Sequence, residues 1–458
     1  MLLLQFFTPK IAHSSYILAG NKTCAVIDPR RDVQVYIDAA KSAGWKITHV
    51  IETHLHADFI SGHLDLAQKT GATIYAPDMG KCSFEHVPVS EGSEIKLEDM
   101  TLQVIDTPGH TPEHVSYVVI DTSRGTEPVA VFCGDTLFVG DVGRPDLFPG
   151  RAHELASALY SSLHDKLLRL PDFCEVYPAH AAGSLCGRSM AAKRQSTIGY
   201  ERRYNKALLI DDKETFIASL TNGMPPAPDH FGRCSAINGR GPALVSSLPS
   251  PRAIEPHDFA ALAAREDTVV VDTRSYAGFG GQHIEGAYSL NLVANFPTFA
   301  GWVVPPDKDI LLVTSNSAEV AEAIDWLRRV GMDRTVGFLN GGTPAWATSG
   351  LPLKHVPQLS SQELGDIVRH HGEAVLVDVR AQSEYETGHI QGAVSIPVAD
   401  LRTRYAELDR ATETVVICST GSRSSLAASI LAQKGFTNVK NAAGGLTGYL
   451  AAGFSLGS

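Results

Sequence analysis

The heptapeptide Thr53-His54-Leu55-His56-Ala57-Asp58-Phe59 sets two imidazoles and a carboxylate on alternate positions of one short stretch. It follows Ile47-Thr48-His49-Val50-Ile51-Glu52, an apolar-rich run of strand type. A strand that opens into a ligand-rich loop holds its donors at one rigid edge, as a metal site requires. Further donors stand in the same setting. His110 lies in Thr107-Pro108-Gly109-His110-Thr111 after the strand-like run 102–106. Asp135 lies in Cys133-Gly134-Asp135-Thr136 after an apolar run, and His180 closes Val176-Tyr177-Pro178-Ala179-His180. A lone histidine more often packs than binds an ion. Ordered donors, each ending a short apolar run beside glycine or proline, favour one shared metal centre.

A chain of 458 residues is too long for one ordinary core and calls for roughly two to four domains. With 44% hydrophobic and 19% charged residues, its composition is that of an ordinary globular protein. The net charge of −11 argues against a nucleic-acid partner, which draws on a basic footprint. Met1-Leu2-Leu3-Leu4-Gln5-Phe6-Phe7 is apolar but lacks the basic start and cleavage site of a signal peptide, so a first strand is expected. No apolar run reaches transmembrane length, and no membrane role is expected. The seven cysteines are scattered, with no Cys-x-x-Cys pair. This usage predicts reduced thiols and a cytoplasmic location.

Residues 222–228 and 246–251 are rich in proline, glycine and serine and read as linkers. The stretch between, from Phe231 to Leu244, carries enough apolar residues to pack back on the first domain. Beyond it the sequence repeats. Val269-Val270-Val271-Asp272-Thr273-Arg274 returns as Val375-Leu376-Val377-Asp378-Val379-Arg380, and a His-Ile-x-Gly-Ala motif starts eleven residues after each aspartate, at His283 and His389. Each copy continues with an apolar strand, a helical stretch and a glycine pair. Strands alternating with helices predict a parallel sheet covered on both faces.

The copies differ where chemistry would occur. In the second, the strand opens into Cys418-Ser419-Thr420-Gly421-Ser422-Arg423-Ser424, with a helix expected from Ser425 to Gln433. Backbone N–H groups of such a loop and helix start converge on an anion, here the sulfur of a thiolate or persulfide. Arg423 adds positive charge, so Cys418 is expected to be a nucleophile of lowered pKa. In the first copy Thr314 stands opposite Cys418, Ser317 opposite Gly421 and Glu319 opposite Arg423. Nucleophile and cation are both absent, which leaves an interaction or spacer module.

Residues 1–240 resemble the metallo-β-lactamase superfamily and, within it, the persulfide dioxygenases. Residues 252–355 and 358–458 resemble rhodanese domains, the second through Cys-x-x-Gly-x-Arg. The resemblance implies an α/β protein: an N-terminal αββα sandwich followed by two tandem α/β rhodanese domains. The superfamily's metal signature is His-x-His-x-Asp-His, and phenylalanine holds the last place here. In two-metal relatives of the glyoxalase II type, one ion takes the positions of His54, His56 and His110. The other takes Asp58, the missing histidine and His180, with Asp135 bridging. The persulfide dioxygenases hold one Fe(II) with two histidines and a carboxylate, which map onto His54, His110 and Asp135. This is a facial triad whose open positions suit dioxygen. His56, Asp58 and His180 then stand behind the ligands and orient them or the substrate. Residues 140–147 resemble a stretch that follows the bridging aspartate in rhodanese-fused members.

The whole chain thus resembles persulfide dioxygenase–rhodanese fusions. The resemblance implies one Fe(II) per chain, oxidation of a small-molecule thiol persulfide by dioxygen to sulfite and thiol, and rhodanese transfer linking sulfite and thiosulfate in sulfide detoxification. A homo-oligomer, dimer or tetramer, is expected. Cys186, in Gly183-Ser184-Leu185-Cys186-Gly187, lies six residues beyond His180 and is a candidate sulfur relay, with Arg188 to lower its pKa. The competing reading is a small thiol that simply packs. Arg188, Lys193, Arg194, Arg202 and Arg203 are candidate contacts for an anionic thiol carrier, or else a solvated basic face. Two other functions stay open: a glyoxalase II-like zinc thioester hydrolase, and a non-enzymatic sulfur carrier or sensor.

Overall fold

The segment His13–Ala19 is buried along its whole length, so both of its faces need cover. In the computed structural model, which describes residues 1–293, 295–370 and 373–457, alternate side chains serve two cores. Tyr16 and Leu18 pack with Leu102, Val104, Tyr117 and Phe132, whereas Ile17 and Ala19 pack with Tyr36 and Ala40. Period-two alternation between two buried faces is the signature of a strand inside a layered sandwich.

The first layer is a six-stranded sheet in sequence order: β1(Leu2–Thr8), β2(His13–Ala19), β3(Thr23–Ile27), β4(Lys46–Ile51), β5(Thr73–Pro77) and β6(Val87–Val89). The expected first strand at the N-terminus is present. The second sheet uses β7(Glu94–Leu97), β8(Met100–Asp106), β9(Val115–Asp121) and β10(Pro128–Gly134). After the short hairpin β11(Leu137–Phe138)–β12(Asp141–Val142) it adds β13(Glu175–Pro178) and β14(Ser196–Thr197), in the order β14-β13-β10-β9-β8-β7. Helices α1(Gln34–Ala43) and α2(His63–Thr70) cover the outside of the first sheet through Tyr36, Ala40 and Leu66. Helix α3(Ala152–Ser161) covers the second through Leu159. After α4(Ile198–Tyr204), α5(Lys213–Thr221) adds Phe216 and Leu220 to the same layer. Helix α6(His230–Arg240) packs Phe231 against Ala57, Phe138 and Cys186, so the stretch beyond the first linker does return to this domain.

The chain divides into two compact units, Met1–Leu248 with Arg328–Gly331, and Pro249–Leu327 with Met332–Ser458. The second contains both copies of the repeat. The first copy has β15(Arg252–Ile254), β16(Thr268–Asp272), β17(Tyr288–Ser289), β18(Asp309–Val313) and β19(Thr335–Leu339), in the order β15-β19-β18-β16-β17. The second has β20(Gln358–Leu359), β21(Val375–Asp378), β22(Val394–Ser395), β23(Thr414–Ile417) and β24(Val439–Ala442), in the matching order β20-β24-β23-β21-β22. All pairings are parallel. The repeated motifs build the shared frame. Arg274 and Arg380 each form an ion pair with the buried aspartate two residues earlier. His283 and His389 each stack on an aromatic ring four residues back, Phe279 and Tyr385, and meet its carbonyl through Nδ1.

Cys418 follows β23 as Thr314 follows β18. The helix after Cys418 spans Ser422–Gln433, three residues earlier than the sequence suggests, so Arg423 and Ser424 belong to its first turn. Gly445 closes against this loop: at φ +56, a Cβ there would stand 2.2 Å from the Cys418 carbonyl oxygen. At its counterpart Gly342 the nearest atom, the Thr314 carbonyl oxygen, is 3.4 Å away. Gly445→Ala should cost more than about 1 kcal/mol and lower sulfur transfer, with a smaller effect from Gly342→Ala. Urea unfolding of the full chain and a thiosulfate–thiol transfer assay check this, and equal effects at both glycines would contradict it.

Candidate metal centre and persulfide loop

The loops that follow β4, β8, β10 and β13 are tied to one another. Val115 N–H donates to Thr53 O at 2.9 Å, Ala179 N–H to Gly134 O at 2.9 Å, and Ser14 N–H to Ala179 O at 2.7 Å. These ties bring together His54, His110 and Asp135, each at most 1% exposed. Asp135 Oδ2 lies 3.8 Å from His54 Nε2 and 3.3 Å from His110 Nε2. His110 Nδ1 meets the Arg144 carbonyl oxygen at 2.9 Å. His54 Nδ1 meets Thr53 Oγ1 at 2.9 Å, and that hydroxyl donates to Asp28 Oδ2 at 3.0 Å. Both imidazoles therefore carry their proton on Nδ1. Both Nε2 atoms face Asp135 and have no hydrogen-bond partner among the described residues. An unpartnered buried polar atom costs about 1–3 kcal/mol. Two lone pairs and a carboxylate aimed at one point are what a cation would relieve, so the residues present fit a metal ion.

Burial pushes His54 and His110 below the ordinary histidine range. Burial also opposes ionisation of Asp135, but the charge and hydrogen bonds of His180 outweigh it and hold the carboxyl well below its usual value. Neutral imidazoles and an ionised carboxylate are the donor forms a metal takes.

The other expected residues surround this set. His56 Nε2 turns to Asp28 Oδ1 at 3.2 Å and Glu52 Oε2 at 3.6 Å. Burial alone would lower its pKa, yet the Asp28 and Glu52 carboxylates raise it. Phe59 is fully buried, its ring centroid 4.4 Å from that of His56 and 4.1 Å from that of His13. His180 Nδ1 bonds both Asp135 oxygens, at 2.8 and 3.0 Å, and its Nε2 lies 2.9 Å from Asp58 Oδ2. Cys186 reaches this group, as its position near His180 suggested, but its activation by Arg188 does not hold. The thiol is fully buried, and burial, then Asp58 and Asp135, push its pKa well above the ordinary value. Arg188 instead donates to the carbonyls of Ser219 and Asn222. The remaining basic candidates brace their own fold. Arg194 lies over the Phe7 ring and Lys193 over Tyr200, while Arg202 and Arg203 pair with Asp172.

The sequence pattern gave no role to His114, and it offered Gly143 and Arg144 only as part of the stretch 140–147. His114 stacks on His54 at 4.8 Å, and its Nε2 accepts the Asp135 N–H at 2.9 Å. Burial lowers its pKa to about 3, so it stays neutral and holds the Asp135 backbone. Its place four residues after His110 was the available signal. Arg144 is 1% exposed and spans Asp146, Leu185 O and Pro225 O, which fixes the carbonyl that orients His110. Gly143 lets this loop approach, since a Cβ there would stand 1.9 Å from the Asp135 carbonyl oxygen. A cavity of about 540 Å³, lined by Leu55, Ala57, Thr111, Phe148, Phe231 and Arg240 among others, adjoins the ligand-bearing segments.

In the second repeat, Cys418 Sγ accepts the Gly421 N–H at 3.1 Å and the Ser424 hydroxyl at 3.4 Å. The loop therefore does direct donors at sulfur. Arg423 stands close enough to Cys418 for their charges to interact, and it has a further partner that the sequence did not indicate. Its guanidinium forms a two-pronged pair with Glu384, at 2.5 and 2.8 Å, and donates to Ser419 Oγ at 2.9 Å. Ser422 opens the helix and Thr420 precedes its cap at Gly421. The first repeat has lost both partners. Gly278 holds the position of Glu384, six residues after the strand aspartate. Glu319 folds back onto its own loop, accepting from Ser315 N–H and Asn316 Nδ2 at 3.0 Å each.

Hydrogen bonds from Arg423 hold the Glu384 carboxyl down at about 2, against an ordinary 4.5. The folded pKa lies below the unfolded one, so the pair's stabilisation is complete above pH 4.5 and is lost as pH falls toward 2. Glu384→Gln should cost at most roughly 1 kcal/mol at neutral pH because the pair is partly exposed. The gap from wild type should close through that acid window. The urea midpoint at which Cys418 becomes reactive to a thiol reagent measures it, and a pH-independent gap would contradict the assignment.

Comparison with known proteins completes the picture. The metallo-beta-lactamase superfamily matches residues 9–180, and the rhodanese-like domain matches residues 255–349 and 360–452. The chain is 31% identical over 247 residues to the mitochondrial persulfide dioxygenase ETHE1 of Mus musculus, covering 52% of this chain and 88% of that one. It is 34% identical over 163 residues to the hydroxyacylglutathione hydrolase of Methylococcus capsulatus, covering 35% of this chain and 58% of the hydrolase. A crystal structure of a metallo-beta-lactamase from Staphylococcus aureus subsp. aureus COL superposes with a TM-score of 0.67 at 33% identity, covering 74% of this chain and 98% of that one.

Proposed function

This chain belongs to the persulfide dioxygenase family of the metallo-β-lactamase superfamily and carries two rhodanese-like domains, and on that footing we propose a persulfide dioxygenase coupled to sulfur transfer, with one Fe(II) per chain. It is an enzyme of sulfur metabolism. The substrate is the persulfide of a low-molecular-weight thiol, and the role is sulfide detoxification. Residues 1–240 carry the oxidation, 358–458 the transfer, and 252–355 an interaction or spacer module. The observation that carries this reading is the set His54, His110 and Asp135, with two unpartnered Nε2 atoms. Phe59 beside it removes the histidine that a two-metal hydrolase of this fold would use.

Bound there, Fe(II) would supply activation of dioxygen and a charge that favours the persulfide anion. The chain's own groups do the rest. Thr53 and the Arg144 carbonyl hold His54 and His110 in their ligating tautomer. His180 neutralises and orients Asp135. Leu55, Ala57 and Phe231 line the adjoining cavity with apolar surface that limits water, while Arg240 offers a cation to an acidic thiol carrier. Persulfide, dioxygen and water give thiol and sulfite, the terminal sulfur losing the electrons that dioxygen gains. Cys186 would relay sulfane sulfur in this scheme only once its thiol is ionised.

At Cys418, Gly421 N–H and the Ser424 hydroxyl stabilise the sulfur anion. A Cys418 persulfide passes its outer sulfur to sulfite: the S–S bond breaks, an S–S bond of thiosulfate forms, and the Cys418 thiolate leaves. The reverse charges Cys418 from thiosulfate. Tethering the two activities raises the effective concentration of one for the other.

Anaerobically isolated protein should contain iron and consume dioxygen with a thiol persulfide. His110→Ala should lower iron content and dioxygen uptake together, by about tenfold or more. Zinc content with thioester hydrolysis and no dioxygen uptake would instead favour the hydrolase reading that the Methylococcus relative suggests. Cys418→Ser should abolish thiosulfate–thiol transfer and leave dioxygen uptake on a supplied small-molecule persulfide near wild type. Equal loss of both activities would show that substrate must pass through Cys418.

A further inference from the structure

The loop His54–Ser61 carries metal donors, but several of its backbone bonds go to segments that carry none. Asn238, on α6, is 1% exposed. Its Nδ2 donates to the carbonyls of His56 and Phe59 at 2.8 Å each, and its Oδ1 accepts the Ser61 N–H at 2.9 Å. Both amide N–H groups and the amide oxygen are thus engaged on one loop. The Ile60 N–H donates to the Arg329 carbonyl at 2.6 Å. Residues Arg328–Gly331 belong to the first compact unit, although in the chain they end and follow the helix Ser317–Arg329 of the first repeat. The segment is anchored on this unit. Arg31, itself 1% exposed, donates to the Arg328 carbonyl at 3.0 Å, and Arg329 Nε lies 2.7 Å from Asp32 Oδ1. A Cβ at Gly331, where φ is +71, would stand 3.3 Å from the Ile60 side chain, so the segment lies directly on the loop.

A buried loop keeps one conformation only while its backbone groups have partners. Between the clamped carbonyls of His56 and Phe59 stands Asp58, whose Oδ2 lies 2.9 Å from His180 Nε2. His180 Nδ1 in turn bonds both Asp135 oxygens. His54, at the start of the loop, is held separately through Thr53. We propose that Asn238 and the segment Arg328–Gly331 are positioning elements of the metal centre: they fix the loop 56–61, the loop sets Asp58 on His180, and His180 aims the Asp135 carboxylate. Through this segment the first repeat, which has no nucleophile, contributes a brace to the metal centre rather than spacing alone. This positioning role rests on the metal reading of His54, His110 and Asp135, and on no particular ion or reaction. Release of the brace leaves every donor in the chain but lets its direction vary, and outer partners of this kind govern metal affinity by about 10- to 100-fold.

Co(II) serves as the probe, because its ligand-field bands report the number and direction of its ligands. Full-length protein stripped of metal is loaded anaerobically with Co(II), and affinity is measured by competition with a chelator. Asn238→Ala should weaken Co(II) binding about tenfold or more and change the bands. Arg329→Ala should move both in the same direction, and Arg329→Lys, which can keep the pair with Asp32, should restore them. Asp58→Asn acts at the far end of the same path, so adding Asn238→Ala to it should weaken binding no further. Leu220→Ala truncates the core beside the second sheet. It should lower the urea midpoint and leave affinity and bands as in the parent. Parent-like affinity and bands in Asn238→Ala or in Arg329→Ala, equal changes in Leu220→Ala, or additive losses in the double variant overturn the proposal. If Asn238→Ala does not fold, Arg329→Ala decides alone: parent-like affinity and bands overturn it. A parent protein that binds no Co(II), or binds it equally well after His110→Ala, overturns the metal reading itself, and the positioning role with it.

Discussion

Asp135 carries a buried charge around which the first domain is organised. Three imidazoles, from His54, His110 and His180, lie within 4 Å of its carboxylate. A fourth, from His114, holds its backbone N–H. A charge taken out of water is costly unless several partners surround it. Here the hydrogen-bonding partners are His180 after β13 and His114 after β8, so segments far apart in the chain must meet for the charge to be tolerated. Gly143 is the counterpart of this convergence: the loop carrying Arg144 approaches too closely for any side chain. The cluster's orphaned nitrogens show that the protein alone does not satisfy it. An ion that relieves these atoms would stabilise the state that gathers them, and so link folding to metal binding.

The second unit presents the opposite lesson about buried charge. Asp272–Arg274 and Asp378–Arg380 are paired alike in both repeats and serve the frame. What distinguishes the copies is a set of exchanges around the loop, the nucleophile Cys418 and its Arg423–Glu384 pair among them. Arg423 and Glu384 bind one another in the second copy, while Glu319 and Gly278 hold those places in the first. Loss of the arginine removes the reason for the glutamate, and the replacement glutamate secures its own loop instead. The first copy keeps its sheet order and its glycine pair, so it is a folded domain without a nucleophile rather than a decayed one.

Much was legible in the sequence because it depends on local pattern. Apolar runs ending in donors exposed the loops that meet at Asp135, and the spacing from aspartate to His-Ile-x-Gly-Ala exposed the repeat. Other features were hidden because they depend on distant segments. Nothing near Arg423 in the chain says that Glu384, thirty-nine residues earlier, takes its charge. Arg188 follows Cys186 by two residues, yet its guanidinium turns to the carbonyls at the end of α5, a partner far along the chain.

The sequence by itself determined the donor types, the absence of a nucleophile in the first repeat and the missing histidine at Phe59. These are matters of which atoms exist. Only the tertiary structure decided where each lone pair points. The tautomers of His54 and His110 follow from Thr53 and the Arg144 carbonyl. The approach of Cys186 to Asp58 and His180 follows from Arg144 pinning a remote turn. Direction and proximity arise from hydrogen bonds across the fold, and no linear motif records them.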